Sequence, residues 1–263
     1  MNQRNLGSFG NDEIENNKII KSFKKDFLSI KSKGFVPSNR IHNTGIGKTF
    51  EDLIGIHENN NLLVDYEGLL EIKSTRELSG SMVTLFTKSP TYPNGANTYL
   101  REKYGQPDPK SNNMKILHTT ISASKFNTYK GKYGFRLFVS KKDEKIFIII
   151  KDLENNQIID TSVYYTFEDL KQIVGTKCKY IAFINAETKV NNGKESFYFK
   201  NATLLSCLTF DKFIDYVNRG IIVYDIRIGV YKSGHSYGKT HDHGSGFRIQ
   251  KRDINKAFKI EQL

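Results

Sequence analysis

The stretch Asn61-Leu-Leu-Val-Asp65-Tyr-Glu-Gly-Leu-Leu-Glu71-Ile-Lys73 decides how this chain is read. Leu69-Leu-Glu71-Ile-Lys73 alternates its side chains as a strand does. Side chains two apart on a strand point to one face, so Glu71 and Lys73 project together. A turn at Glu67-Gly68 could bring Asp65 beside them. Two carboxylates and an ammonium at one strand end suit a hard divalent cation and a water to be deprotonated. Mg²⁺ takes oxygen ligands and keeps several of its own waters. A bound metal lowers the pKa of a water and stabilises charge building on a phosphoryl oxygen. Lys73 can orient that water or help to deprotonate it. By itself the spacing also fits a solvated strand carrying an ion pair.

The segment before it supplies context. Lys48-Thr-Phe-Glu51-Asp-Leu-Ile-Gly-Ile56 predicts a helix with Thr49 as N-cap, acids in the first turn and Gly55 at its end. Phe50, Leu53 and Ile54 form one apolar stripe. Glu51 leaves that stripe and can add a third carboxylate. Gly45-Ile-Gly47-Lys48-Thr49 suggests a phosphate loop, but that motif needs glycine where His42 stands.

Asn43-Thr-Gly-Ile-Gly-Lys-Thr-Phe-Glu51-Asp-Leu-Ile-Gly-Ile, Asp65, Glu71-Ile-Lys73-Ser-Thr-Arg76 and Thr84-Leu-Phe-Thr-Lys88-Ser-Pro90 together resemble the MvaI/BcnI family of Type II restriction endonucleases. These are relatives of the mismatch-repair nicking endonuclease MutH. Tyr224-Asp-Ile-Arg227-Ile-Gly-Val-Tyr231 and Gly238-Lys-Thr-His241-Asp-His243-Gly-Ser-Gly-Phe-Arg248-Ile carry the same likeness at the other end of the chain. His-Asp-His-Gly-x-Gly-Phe-Arg places it nearer MvaI than MutH.

The resemblance implies a mixed α/β (α+β) protein with a PD-(D/E)XK-type nuclease core in a catalytic lobe and a β-rich DNA-recognition lobe. It implies Mg²⁺ held by Asp65, Glu71 and the Ile72 backbone carbonyl, with Glu51 direct or through water. Mn²⁺ is expected to substitute, and Ca²⁺ to bind without turnover. Lys73 would position the nucleophilic water, and the products would be a 5′-phosphate and a 3′-hydroxyl. Asp225, Arg227, His243 and Arg248 match base-contacting positions of a short, nearly palindromic site with outer G·C pairs, CCNGG-like. The resemblance further implies a monomer that nicks each strand in turn, without an obligate protein partner. A cognate DNA methyltransferase is the expected genetic partner, in a prokaryotic cytoplasm. Two alternatives stay open: a MutH-like nickase that needs an activating partner, and a catalytically silent sequence-specific DNA-binding protein.

Composition agrees with a nucleic-acid partner. The 263 residues can bury a core in one large domain or two lobes. Hydrophobic content is low at 38%, but 18 Phe and 14 Tyr bury large areas each. The net charge of +12 calls for a polyanion, with double-stranded DNA ahead of a membrane surface. No apolar run approaches the length of a membrane span, and the first residues hold no apolar leader core. Cys178 and Cys207 lack metal or redox spacing and are expected to be small core residues in a reducing cytoplasm.

Along the chain, residues 1–12 are expected to be loose, and 13–31 to form a basic amphipathic helix with Ile19, Ile20, Phe23, Phe27 and Ile30 on one stripe. A connection follows over 32–48, and a strand over 82–87. Residues 89–113 hold four of the five prolines and read as a long loop. Lys88, Arg101, Lys103 and Lys110, in or beside it, are candidates to track phosphates, or simply solvated. Strands are expected at 135–139, 145–150, 180–184, 196–199 and 221–230, with helices at 166–174 and 210–218. The catalytic lobe is placed at 1–125 and the recognition lobe at 126–263.

Asp225 and Arg227 lie two apart on a strand and share a face. Arginine pairs bidentately with guanine and aspartate accepts from cytosine, so the two can read one G·C pair. They can equally form a same-face ion pair. Residues 219–259 carry nine Lys/Arg against three Asp/Glu, and Lys232, Lys239 and His241 are weaker DNA-contact candidates. His235, His241 and His243 with Asp242 lack the spaced partners of a zinc site, so base-edge reading is preferred there. His118 is read as a hydrogen-bonded core or interface histidine in preference to a groove contact.

Overall fold

The computed structural model describes residues 6–41, 44–56, 64–77, 80 and 82–263. The expectations for residues 1–5, for His42 and Asn43, and for the run 61–63 before Asp65 lie outside the described residues. The first half runs α1 (Leu6–Lys31), β1 (Val36–Pro37), α2 (Gly45–Leu53), β2 (Glu71–Arg76), β3 (Val83–Thr87), α3 (Ala96–Tyr104), β4 (Gln106–Asp108), β5 (Ser111–Ile121) and β6 (Tyr133–Ser140). There follow β7 (Lys145–Asp152), β8 (Ile158–Thr166), α4 (Phe167–Lys177), β9 (Tyr180–Asn191), β10 (Lys194–Ser206), α5 (Phe210–Asn218) and β11 (Ile222–Val230). The chain ends with β12 (Thr240–Asp242), β13 (Gly246–Ile249), a 3-10 turn at Lys251–Asp253, α6 (Ile254–Ala257) and β14 (Lys259–Gln262).

These elements divide between two compact units. Unit 1 takes Met1–Gly80, Thr176–Cys207 and Phe258–Leu263; unit 2 takes Ser81–Gly175 and Leu208–Ala257. The structure thus divides the chain differently from lobes at 1–125 and 126–263. The reason is one long-range pairing: β2 lies parallel to β9, with Glu71 opposite Ile181 and Arg76 opposite Ala186. Parallel strands need a crossover connection, and here the crossover carries the whole first segment of unit 2. No local pattern announces such a partner.

Unit 1 is built on a sheet of order β1-β10-β9-β2, with β14 added on β10. The expected stripe of α1 does cover it. Phe23, Phe27 and Ile30 pack with Ile46 and Phe50 of α2 against Leu70, Ile72, Ala182, Ile184, Phe197 and Phe199. Phe50 sits edge-on to Phe199 at 5.0 Å between centroids, an arrangement that adds to area burial. α1 extends back to Leu6, beyond the expected start, because adding turns is cheap once a packed half has nucleated the helix. α2 also begins early, at Gly45, with Thr44 in the N-cap position and no side-chain cap bond. Thr49 is therefore not the cap; its buried hydroxyl accepts the Asn39 N–H at 2.9 Å. Gly45 permits the tight entry, since a Cβ there would meet the Arg40 carbonyl at 2.3 Å.

Unit 2 holds two sheets, a six-stranded one of order β3-β13-β11-β5-β4 with β12 on β11, and the meander β6-β7-β8. Its aromatic core joins Phe86, Tyr165, Phe213, Tyr224 and Phe247. The buried Tyr165 and Tyr224 hydroxyls both donate to the Lys88 carbonyl, at 3.1 and 3.0 Å, so neither is left unpaired. The expected loop over 89–113 instead contains α3, β4 and the start of β5. Its prolines stand before α3, at Pro90 and Pro93, and after it, with Pro107 inside β4 and Pro109 in the turn to β5, so none interrupts a helix. Arg101 is buried there and donates to the Lys115 carbonyl at 3.4 Å, which removes it from the phosphate-tracking set. α4 continues through Gly175 to Lys177, and β8 carries no period-2 signal, since its first six residues are buried only at every third position. Cys178 is buried as expected, but Cys207 is exposed, at a positive φ in the connection between β10 and α5.

The helix expected at 210–218 forms with those bounds. Thr209 caps it, accepting the Lys212 N–H at 3.3 Å. Thr209→Ala is expected to lower unfolding free energy by about 1 kcal/mol, read as a shifted denaturant midpoint with an unchanged slope.

Candidate active site and nucleic-acid interface

In unit 1, β2 is the outer strand of its sheet, and it presents Glu71 and Lys73 together as the strand alternation requires. Glu71 is only 5% exposed. Its Oε1 is paired with the Lys73 ammonium, and its Oε2 lies 2.8 Å from the Lys177 ammonium. Asp65 is held beside them by the turn 65–70, closed by the Tyr66–Leu70 bridge. The Asp65 carboxylate accepts the Ile72 N–H at 2.8 Å. A strand residue turns its N–H and C=O to the same side, so the Ile72 carbonyl faces the side where Asp65 stands, away from β9. Burial, and then the neighbouring Glu71 charge, raise the Asp65 pKa above the usual carboxylate value. Cys178, next to Lys177, is buried and its thiol is pushed up to about 12 by that burial, so it stays neutral.

The structure thus brings together Asp65, Glu71, Ile72 and Lys73. Glu51 sits on α2, which packs on β2 through Phe50. Among the described residues no group of three or more His, Cys, Asp and Glu is placed to hold a metal ion, so the third carboxylate is not gathered in. What is gathered still suits a hard cation. Two neighbouring carboxylates, plus a carbonyl turned toward them, are oxygen donors of the kind Mg²⁺ uses when it keeps several waters. Lys177 was not found from the sequence: it lies 106 residues from Glu71, and only the β2–β9 pairing brings it near.

In unit 2, β11 places Asp225 and Arg227 on one face. Asp225 is 6% exposed and acts as a hub. One oxygen accepts from Arg227 Nε at 2.6 Å and lies 3.0 Å from Arg248 Nε, and the other accepts from the Thr120 hydroxyl at 2.7 Å. The same-face ion pair is therefore present. It leaves Arg227 half exposed, and its Nη1 and Nη2 bond to nothing among the described residues. Arg248 is buried and donates a further bond to the Gly244 carbonyl at 3.0 Å.

His118 lies opposite Arg227 on β5 and is exposed, so the core reading of it is overturned. His118, Thr119, Thr120, Asp225, Arg227 and His243 line an open cavity of about 480 Å³. His243 donates its backbone N–H to the Arg227 carbonyl at 2.8 Å. Gly229 makes room for that ring, since a Cβ there would meet its Nε2 at 2.8 Å. Tyr231 stacks on His241 at 4.1 Å, and His241 touches His243 at 4.2 Å. Desolvation first, then Arg227, lower the His118 pKa; desolvation, then His241 and His118, lower that of His243. Both imidazoles are thus neutral near pH 7, each able to donate and accept one hydrogen bond. Asp242 is taken up in the turn, accepting the Gly244 and Ser245 N–H groups at 3.0 and 2.6 Å. Lys232 pairs with Asp108 at 2.6 Å, and Lys239 is exposed.

The model of the MvaI/BcnI restriction endonuclease family matches residues 24–258, nearly the whole chain. The chain belongs to the MvaI/BcnI restriction endonuclease family. Among solved structures, restriction endonuclease MvaI in complex with its cognate DNA substrate has a TM-score of 0.85 and 37% identity, over 92% of this chain and 97% of that one. MvaI in the absence of DNA has a TM-score of 0.59 and 34% identity, over 93% and 97%. No curated protein sequence matches. As a member of the MvaI/BcnI family the chain is a Type II site-specific endonuclease, and its α+β architecture is of the PD-(D/E)XK type. No helix among the described residues is long and apolar enough to cross a membrane.

Proposed function

We propose that this endonuclease hydrolyses double-stranded DNA at a short, nearly palindromic site with outer G·C pairs, CCNGG-like, in a Mg²⁺-dependent reaction that leaves 5′-phosphate and 3′-hydroxyl ends. The observation that carries the reading is the convergence of Asp65, in the turn before β2, with buried Glu71 and Lys73 on that outer strand. Asp65, Glu71 and the Ile72 carbonyl would hold the ion, with Glu51 reaching it through a water. Mg²⁺, when bound, lowers the pKa of a water and offsets charge on the phosphoryl oxygen; Mn²⁺ substitutes, and Ca²⁺ binds without turnover. The Lys73 ammonium orients the attacking water through its N–H groups and favours its deprotonated form. Burial around Glu71 strengthens these interactions by excluding bulk solvent.

For recognition, the free Nη1–Nη2 edge of Arg227 fits guanine O6 and N7. Asp225 fixes that edge, and Arg248 and His243 complete the base-facing set. Lys232, Lys239 and His241 make weaker contacts. The enzyme works as a monomer in a prokaryotic cytoplasm, beside a methyltransferase that protects the host site. Digestion of mixed-sequence DNA with Mg²⁺, followed by end sequencing, tests the whole reading. Ends that share one motif and carry 5′-phosphates are expected. Ends without a shared motif, or cleavage that persists in chelator, would overturn it.

One catalytic set per chain sets a further expectation. Supercoiled plasmid with one site should pass through a nicked circle, and the rate per enzyme should stay constant as enzyme concentration rises under substrate excess. Direct conversion to linear DNA, together with a dimer mass in solution, would sink the monomer.

A further inference from the structure

Glu71 carries two ammonium partners, one on each oxygen: Lys73 on Oε1 and Lys177 on Oε2, the latter at 2.8 Å. Lys73 has an assigned role in the proposed chemistry, and Lys177 has none. Its position is built. It is the last residue of α4, where the helix dipole favours a cation. The next residue, Cys178, is fully buried and pins the backbone, and the Lys177 side chain is only 18% exposed. An ordinary surface lysine is not held in this way.

The charge balance gives the arrangement a meaning. Asp65 and Glu71 supply two negative charges, and Lys73 and Lys177 two positive ones, so the cation-free cluster is neutral. Without Lys177, buried Glu71 and half-buried Asp65 would face one ammonium, and the uncompensated charge would be costly. A divalent cation that binds a Glu71 oxygen must displace an ammonium or add two charges to a balanced pocket. Lys177 therefore stands in for the ion when it is absent and competes with it when it arrives.

We propose that Lys177 is a positioning residue that holds Glu71 in place while no cation is bound and thereby weakens and sets the affinity of the Asp65–Glu71 pair for a divalent cation. The inference rests on the reading of Asp65 and Glu71 as metal ligands. Ca²⁺ binding to the full-length protein without DNA, measured by calorimetry, tests it apart from turnover. Lys177→Met is expected to bind Ca²⁺ about 10-fold more tightly, the usual effect of one neighbouring charge, and to reach half-maximal cleavage at correspondingly lower Mg²⁺. Lys177→Arg should stay near wild type. If Lys177→Met does not fold, Lys177→Gln, which keeps a donor without charge, carries the same expectation. Unchanged or weaker Ca²⁺ affinity in a folded variant overturns the proposal, and a lowered melting temperature alone would reduce Lys177 to a structural tie. Glu71→Gln separates the two levels: if Ca²⁺ affinity survives that change, the metal-site reading is what fails.

Discussion

Lys73→Ala and Asp65→Asn are expected to reduce DNA cleavage by at least ~10²-fold each, the usual consequence of losing one preorganised charged or donor group, while specific binding in Ca²⁺ persists. The structure gives reasons why neither change should unfold the protein. Lys73→Ala leaves Glu71 its second partner, since Lys177 remains on Oε2. Asp65→Asn keeps an oxygen that can accept the Ile72 N–H, and it removes a charge that burial and Glu71 already disfavour. Asp65→Asn should therefore stay folded in the absence of metal, while losing activity. Single-turnover cleavage, gel-shift binding in Ca²⁺ and a thermal melt on the same preparations check this. A variant that cuts at near wild-type rate would remove its residue from the chemistry.

The part of this site that was legible in the sequence is the part governed by period 2. Glu71 and Lys73 had to share a face once 69–73 was a strand, and a turn at 67–68 could bring Asp65 back. The same rule put Asp225 and Arg227 together on β11. What stayed hidden depended on partners distant in sequence. The β2–β9 pairing joins residues about a hundred positions apart, so the division into units, and Lys177 with it, could not be read locally. In Leu117-His-Thr-Thr120 the sequence leaves His118 as a hydrogen-bonded core or interface histidine. Only the pairing of β5 with β11 sets it beside Arg227.

The remaining misses have local causes. Prolines at 90, 93, 107 and 109 suggested a loop, yet they flank α3 and leave Leu100 and Tyr104 free to bury. Thr49 looked like a cap by residue type, but Gly45 lets the chain turn into the helix one turn earlier. Propensity named the right helix in that case and the wrong first residue.

The second large effect concerns Asp225. Because its carboxylate holds Arg227, Arg248 and Thr120 while nearly fully buried, Asp225→Ala leaves Arg248 buried without its counter-ion. Breaking a buried pair from one side costs about 3–5 kcal/mol, so a clear fall in unfolding free energy is expected. Specific DNA binding should fall with it, since the Arg227 fork loses its anchor. Arg227→Ala is the contrasting case. Its guanidinium is half exposed, so stability should change little, whereas cognate binding should weaken by about 1–3 kcal/mol, the worth of one bidentate base contact. Binding to random DNA should change much less. Chemical denaturation and paired titrations on cognate and random DNA separate the two residues. Equal losses of cognate and random binding in Arg227→Ala would make Arg227 a phosphate contact. Unchanged stability in Asp225→Ala would mean that Arg248 finds water or another partner, and the hub would then be a surface ion pair of little worth.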